Sequence, residues 1–327
     1  MPSGEDKLIA RFFKPLATHP GALALTDDTA MFEPPAGHDI VLTADAVTGG
    51  VHFFADDPPD AIARKALRVN LSDLAAKGAK PLGFLLTLAL PADIDDNWLE
   101  KFSSGLGVDA EAFACPLFGG DTIRTPGPIS VSIFALGSVP KGKMVKRSGA
   151  KAGDRIIVSG TIGDAALGLR LRKDGAAQSW KLDTSAREHL LDRYLLPQPR
   201  PGLAEAVQAH AAAAMDVSDG LVGDVGKLCA VSGVSAVIDV SSVPLSDAAR
   251  AVLAMDGELI ETILTGGDDY EIVCAVRPDD VPALYAVAAR ADIAVTDIGA
   301  VVDGTGAPRF IGANGPLSFA RKSFSHF

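Results

Sequence analysis

The residues with most chemistry to offer in this sequence are aspartates, and they come in small groups. Asp27-Asp28 follow the apolar run "ALAL", Asp45 closes "DIVLTAD", and Asp73 sits in "VNLSDLAA", three residues after Asn70. Asp121 follows "LFGG", and Asp216, Asp219 and Asp224 crowd into "MDVSDGLVGD" at 215–224. Asp268 and Asp269 follow Thr265-Gly266-Gly267. Four of these groups share one order: apolar strand, small residues, acid. That order predicts carboxylates at strand ends, where an open sheet gathers its ligands. Oxygen donors with no His or Cys beside them suit a hard cation, Mg²⁺ above all, which shares its coordination with substrate phosphates. The chemistry such an array serves is transfer of a phosphoryl group, where charge cancellation and in-line positioning matter more than an acid or a base.

Each acid alone has a plainer reading. Ser218 and Asp219 could cap a helix that begins at Leu221, and Asp121 and Asp268 could be turn aspartates after glycine. Lys77 follows Asp73 by one helical turn and could pair with it. His52 could be a polar residue on a strand edge. Repetition favours the metal reading, because buried carboxylates cost several kcal/mol unless paired or metal-bound. Other patterns carry nothing. "GSVPKGKM" (137–144) fits a phosphate-loop spacing, but Met144 stands where Ser or Thr should meet Mg²⁺, and Pro140 interrupts it. "GLGVDA" and "GTGAP" lack the third glycine of a dinucleotide fingerprint, and the six histidines have no zinc spacing.

To hold these acids the chain supplies strands and helices in alternation, an α/β or α+β architecture. A helix over "GEDKLIARFFKPLA" puts Leu8, Ile9, Phe12 and Phe13 on one face. Residues 39–45 read as a strand, 60–79 as a long helix closed by Gly78, 81–90 as a buried strand, 95–113 as a helix and 130–139 as a strand. "PKGKMVKRSGAKAGD" (140–154) lacks a hydrophobic period and marks a domain boundary, which predicts an N-terminal domain over 1–140 and a C-terminal one over 141–327. Beyond it come the strand "RIIVSG" and helices to about residue 212, with the alanine-rich piece near 204–214 read as helix.

With 327 residues the chain has length for two domains, and its net charge of −11 lacks the basic face a nucleic-acid binder needs. Cys115, Cys229 and Cys274 are odd in number and far apart, which suits core thiols in a reducing compartment. The opening stretch mixes charges where a signal peptide would be apolar, and the run 81–91 is too short to span a bilayer. A cytoplasmic protein without a membrane or nucleic-acid partner is expected.

Taken together the motifs resemble the thiamine-monophosphate kinases, members of the ATP-binding superfamily that includes aminoimidazole ribonucleotide synthetase. The resemblance rests on "GEDKLIARFF" (4–13), "DDTA" (27–30), "GGVHF" (49–53), "KALRVNLSDLAAKGAKP" (65–81) and "GGDT" (119–122). It continues through "RSGAKAGD" (147–154), "SGTIGDAALGL" (159–169), "MDVSDGL" (215–221), "LTGGDDYE" (264–271) and the final "HF". It implies a two-domain α/β fold of α+β type, a homodimer formed by the N-terminal sheets, and ATP bound between domains. It implies phosphorylation of thiamine monophosphate to thiamine diphosphate, with several Mg²⁺ ions per site. By position, Asp28, Thr43, Asp45, Asp73, Asp121 and Asp216 resemble Mg²⁺ ligands, and Asp219 the holder of a further ion. Gly120, Asp121, Arg147 and Ser218 resemble ATP contacts. His52, Asp268 and Phe324 resemble contacts to the thiamine substrate.

Some positions depart from the family pattern. Ala44 stands where Thr is frequent, so a metal contact there uses its backbone carbonyl or is lost. Thr26 replaces a usual Gly, Asp268 a frequent Glu, and "SFSHF" differs from the usual ending. The alternatives are a sister ATP-dependent enzyme, of the aminoimidazole ribonucleotide synthetase or selenophosphate synthetase type, or a non-catalytic Mg²⁺/nucleotide-binding regulator. A selenophosphate synthetase calls for a reactive Cys or Sec near the N-terminus, and the first cysteine here is Cys115.

Overall fold

A computed structural model describes residues 4–324. Residues up to Leu74 together with Ala79–Lys143 form one compact unit, and Ala75–Gly78 with the chain from Met144 onward form the other.

The first unit opens with α1 (Gly4–Leu8), which widens into a π-turn over Ile9–Phe13 and tightens to a 3₁₀ turn over Lys14–Leu16. The helix is less regular than its sequence predicts. The apolar face is kept nonetheless, with Phe12 and Phe13 buried and Leu8 and Ile9 half-buried. There follow β1 (His38–Thr48), α2 (Pro59–Ala76), β2 (Lys80–Leu90), α3 (Asp96–Ala112), β3 (Leu117–Arg124) and β4 (Ser130–Pro140). The strands form one sheet in the order β1-β4-β2-β3. One face is buried, through residues such as Val41, Phe84, Leu86, Leu88, Val131 and Ile133. Its other face carries Leu42, Leu85 and Phe134, which are exposed.

In the second unit β5 (Arg155–Ser159) leads to α4 (Asp164–Lys173), α5 (Gly175–Gln178), α6 (Thr184–Leu195) and α7 (Ala204–His210). Then come β6 (Ala211–Val217), α8 (Leu221–Ser232), β7 (Ser235–Asp239), α9 (Asp247–Met255), α10 (Ile260–Thr265) and β8 (Glu271–Val276). The chain closes with α11 (Val281–Arg290), β9 (Val295–Val302), β10 (Arg309–Gly312) and β11 (Gly315–Pro316). The seven strands run β11-β10-β7-β9-β5-β8-β6. Both faces of the sheet are buried. Ile156, Val158, Ala213, Met215, Val273 and Ala275 enter one core, and their neighbours Ile157, Ala214, Ile272 and Cys274 enter the other. That is the period-two alternation of a sheet with apolar cover on each side.

Three sequence expectations change here. The alanine run from Ala211 is strand, not helix: pairing with β8 and burial on both faces override alanine's helix preference. Asp45 and Asp121 lie inside β1 and β3, because ladder partners continue past them to Thr48↔Ser130 and Leu90↔Arg124. A helix, α10, and not a strand precedes Asp268 and Asp269, which lead into β8. Only Asp216, next to last in β6, keeps the strand-end position. The three cysteines are buried, and burial pushes their thiols up, to about 12 for Cys115 and Cys274 and about 11 for Cys229. Among the described residues no helix is long and apolar enough to cross a membrane.

Candidate functional site

In the first unit, β1 and α2 bring one set of oxygen donors together. Thr43 and Asp45 alternate onto one face of β1, and Asn70 and Asp73 share a face of α2. The Thr43 hydroxyl donates to Asp73 Oδ2 at 2.5 Å, and the Asp45 amide donates to Asn70 Oδ1 at 3.1 Å. Asn70, fully buried, is held by its own amide group, which donates to the Ala66 carbonyl. Asp73 is half-buried and Asp45 exposed, so both carboxylates keep access to solvent. Lys77 donates to the Ala214 carbonyl at 2.7 Å.

Asp121 stands apart from that set. Register runs Ala46↔Ser132, Ser132↔Thr87 and Thr87↔Asp121, so three strand spacings, about 14 Å, separate Asp121 from the residue after Asp45. Gly120 beside it must be glycine, since a Cβ there would lie 1.7 Å from the Leu86 carbonyl oxygen. The loop carrying Asp28 runs along the same strand, with His19 and Phe32 packed on Phe118. Asp28 itself is exposed. His52 lies in the turn after β1, not on a strand edge. Its Nδ1 accepts the Thr48 amide, and its carbonyl accepts the Lys65 ammonium.

The second unit gathers its candidates at one end of its sheet. Strand β8 is antiparallel to both β5 and β6, so the loop after β5, the loop after β6 and the loop before β8 emerge together. They meet backbone to backbone. The Asp268 amide donates to the Ser218 carbonyl at 2.9 Å and the Tyr270 amide to the Val217 carbonyl at 2.8 Å. Glycine is required at the contact: a Cβ on Gly267 would fall 2.5 Å from the Ser218 carbonyl, and one on Gly220 2.6 Å from that of Thr265. The C-terminal tail joins the same place. Phe319 meets Phe310 edge-on, the Ala320 amide donates to Glu261, and the Phe324 amide donates to the Asp219 carbonyl at 2.9 Å. Phe324 is 50% exposed and so does not plug the core. Backbone bonds thereby bring Ser218, Asp219, Asp268 and Phe324 together. Phe327 lies outside the described residues.

Ser218 and Asp219 do not cap α8. The cap position is Gly220, which has no side-chain cap, and the fully buried Asp224 reaches back from the first helical turn to the loop before it. Its Oδ2 accepts both the Ser218 and the Asp219 amides, at 3.1 and 3.0 Å. Burial raises the Asp224 carboxyl above its ordinary range despite the Lys227 ammonium at 2.8 Å. That ammonium is shared with the Asp219 carboxylate. Burial alone would lower Lys227, but its two carboxylate partners together outweigh that and leave it raised. The sequence signal for this pair was an acid in a helix's first turn with a lysine three residues on.

Arg147 is exposed and has no hydrogen-bond partner among the described residues. The preceding carbonyl, of Lys146, accepts the Ala214 amide, which fixes Arg147 beside β6, the strand of Asp216. Asp216 is buried. Among the described residues no three His, Cys, Asp or Glu side chains form a ready metal cage. Asp219 is paired with the Lys227 ammonium, while Asp73 and Asp45 stand beside the side-chain oxygens of Thr43 and Asn70. Oxygen donors of that kind fit Mg²⁺, which needs only one or two carboxylates when phosphates complete its shell.

Comparison with known proteins follows the same division. The N-terminal domain of AIR synthase related proteins matches residues 26–139, and their C-terminal domain matches residues 151–310. The thiamine-monophosphate kinase of Caulobacter vibrioides is 44% identical over 309 residues, covering 93% of this chain and 86% of that protein. The crystal structure of thiamine-monophosphate kinase from Stenotrophomonas maltophilia K279a aligns with a TM-score of 0.83 at 39% identity, covering 95% of this chain and 96% of that one. AaThiL complexed with AMPPCP and TMP aligns with a TM-score of 0.78 at 31% identity, covering 92% and 91%. Two domains matched in order, and a kinase relative aligned along nearly the whole sequence, lead to one conclusion: this chain belongs to the thiamine-monophosphate kinase family.

Proposed function

We propose that the protein phosphorylates thiamine monophosphate to thiamine diphosphate, moving the γ-phosphoryl group of ATP directly to the substrate phosphate. The observation that carries this reading is the convergence of Ser218, Asp219, Asp268 and Phe324 through backbone hydrogen bonds at one end of a sheet. The site combines an acceptor carboxylate and an exposed aromatic ring, which suit a cationic thiazolium and an aminopyrimidine. A relative whose solved complex holds AMPPCP and TMP supports it.

Within this reading Asp268 and Phe324 take the thiamine moiety, with His52 as a further substrate contact, and Ser218, Arg147 and Gly120 contact ATP. Arg147 presents a planar fork of donors that matches phosphate oxygens. Asp28, Thr43, Asp45, Asp73, Asp121, Asp216 and Asp219 are the Mg²⁺ ligands, with Ala44 offering its carbonyl. When bound, Mg²⁺ neutralises the charge that develops on the transferring phosphoryl group. The protein's share is to hold both phosphates in line and to keep water from the reacting centre. The catalytic domains are taken as 1–140 and 141–327. The exposed sheet face with Leu42, Leu85 and Phe134 is an apolar surface that suits pairing with a second copy as a homodimer. Buried thiols suit a cytoplasmic setting.

The test is ADP release by purified protein with Mg·ATP, with and without thiamine monophosphate. Stimulation by thiamine monophosphate, with thiamine diphosphate as product, is expected. ATP turnover that ignores thiamine monophosphate points to a sister ATPase, and nucleotide binding without turnover points to a regulator.

A further inference from the structure

Asp269 has no place in the reading above, yet it is among the most constrained side chains in the second unit. It is buried between two residues that hold left-handed backbone, Asp268 at φ 73° and Tyr270 at φ 51°. Neither neighbour is glycine, so each conformation costs on the order of 1 kcal/mol and persists only where contacts over-determine it. Three contacts do so. The Asp268 amide donates to the loop after β6 and the Tyr270 amide to the last residue of β6, and both Asp269 carboxyl oxygens accept the Gly163 amide at 2.9 Å. Gly163 ends the loop after β5 and is the N-cap of α4. Asp269 therefore ties the loop before β8 to the loop after β5 while its neighbours tie it to the loop after β6.

Glu271, two residues on and fully buried, anchors the far side of the same segment through Arg200, Arg193 and the Ser159 hydroxyl. Burial drives the Asp269 carboxyl well above the ordinary range, with Asp164 and Glu271 adding to the rise and the Gly163 bond opposing it.

We propose that Asp269 is a positioning residue for substrate recognition: its bond to Gly163 holds Asp268 in the strained backbone geometry from which that carboxylate meets thiamine monophosphate. This rests on the assignment of Asp268 to the substrate.

The variants Asp269→Ala and Asp269→Asn separate this from a general packing role. Asp269→Asn keeps an oxygen that can accept the Gly163 amide; Asp269→Ala does not. Two readouts are taken on each variant. Amide hydrogen exchange, without ligands, follows the Asp268 and Tyr270 amides; steady-state kinetics follow KM for each substrate. In Asp269→Ala both amides exchange faster, and KM for thiamine monophosphate rises on the order of tenfold or more with a smaller change for ATP. Asp269→Asn recovers most of both effects. If Asp269→Ala fails to fold, Asp269→Asn with Asp269→Ser provides the same graded pair. Unchanged exchange overturns the anchoring role. Faster exchange with an unchanged KM overturns the link to recognition, whereas an unchanged KM for thiamine monophosphate in Asp268→Asn would instead remove Asp268 from the substrate site. Equal rises in both KM values also contradict the proposal, since the loop then serves the whole site.

Discussion

The Asp224 carboxylate accepts the Ser218 amide at 3.1 Å from within the first turn of the helix that follows. That contact organises the loop that carries Ser218 and Asp219. Removing the carboxylate strips the Ser218 and Asp219 amides of their acceptor and the partly exposed Lys227 ammonium of one of its two counter-charges. Asp224→Ala should lower unfolding free energy by about 2 kcal/mol, mostly from the two amides, read by urea denaturation. A loss within about 0.5 kcal/mol would make the contact incidental.

Lys227 contests Asp219 with any cation. While its ammonium is paired to that carboxylate, a metal ion must displace it or share the oxygen. Lys227→Met should therefore reduce the Mg²⁺ concentration needed for half-maximal activity, in a titration at fixed ATP. A requirement that is unchanged or higher would mean that Asp219 serves structure rather than metal.

The Thr43–Asp73 pair should matter to rate more than to folding. Asp73→Asn removes the charge of a proposed Mg²⁺ ligand but keeps a side chain that can accept the Thr43 hydroxyl. It should lower kcat on the order of a hundredfold while the thermal midpoint holds or rises. Near wild-type turnover would reduce Asp73 to a helix aspartate that anchors β1.

How much of this was legible in the sequence depends on what each residue answers to. Helices α2 and α3 and strands β2 and β4 announced themselves through hydrophobic period, which local burial reproduces. The ends of β1 and β3 did not, because a strand stops where its partner stops, and the residues after Asp45 and Asp121 look locally like turn. The alanines before Met215 have a helical bias that only the neighbouring strand β8 overrides. Ser218, Asp219, Asp268 and Phe324 were each visible as candidates, but nothing in their spacing says that backbone bonds join them. Asp224, Lys227 and Asp269 were missed as working parts, since their roles lie in contacts to main-chain groups that composition does not reveal.

The second unit also holds a pH-sensitive pair where the loop after β5 enters α4. Asp164, buried, accepts from His189 at 3.0 Å and from the Ser246 and Thr161 hydroxyls. Burial pushes its carboxyl up, but those hydrogen bonds outweigh burial and leave it lowered. The bond to Asp164 raises His189 against the opposing effect of burial. The imidazolium contribution is whole below the unfolded histidine value of about 6.5 and fades as pH rises through the raised folded value. The carboxylate contribution is whole above the unfolded value of about 4 and fades as pH falls through the lowered one. Wild type should exceed His189→Gln in thermal midpoint most at about pH 5, and the gap should close by about pH 9. A gap that widens with pH would reverse the assignment.

The central claim is direct transfer of a phosphoryl group between two anionic phosphates, and isotope transfer tests it most directly. Purified protein with Mg²⁺, thiamine monophosphate and ATP labelled in its γ-phosphate should place the label in thiamine diphosphate, one for each ADP formed, and excess chelator should stop the transfer. Label recovered as inorganic phosphate, with thiamine monophosphate unchanged, would contradict the account.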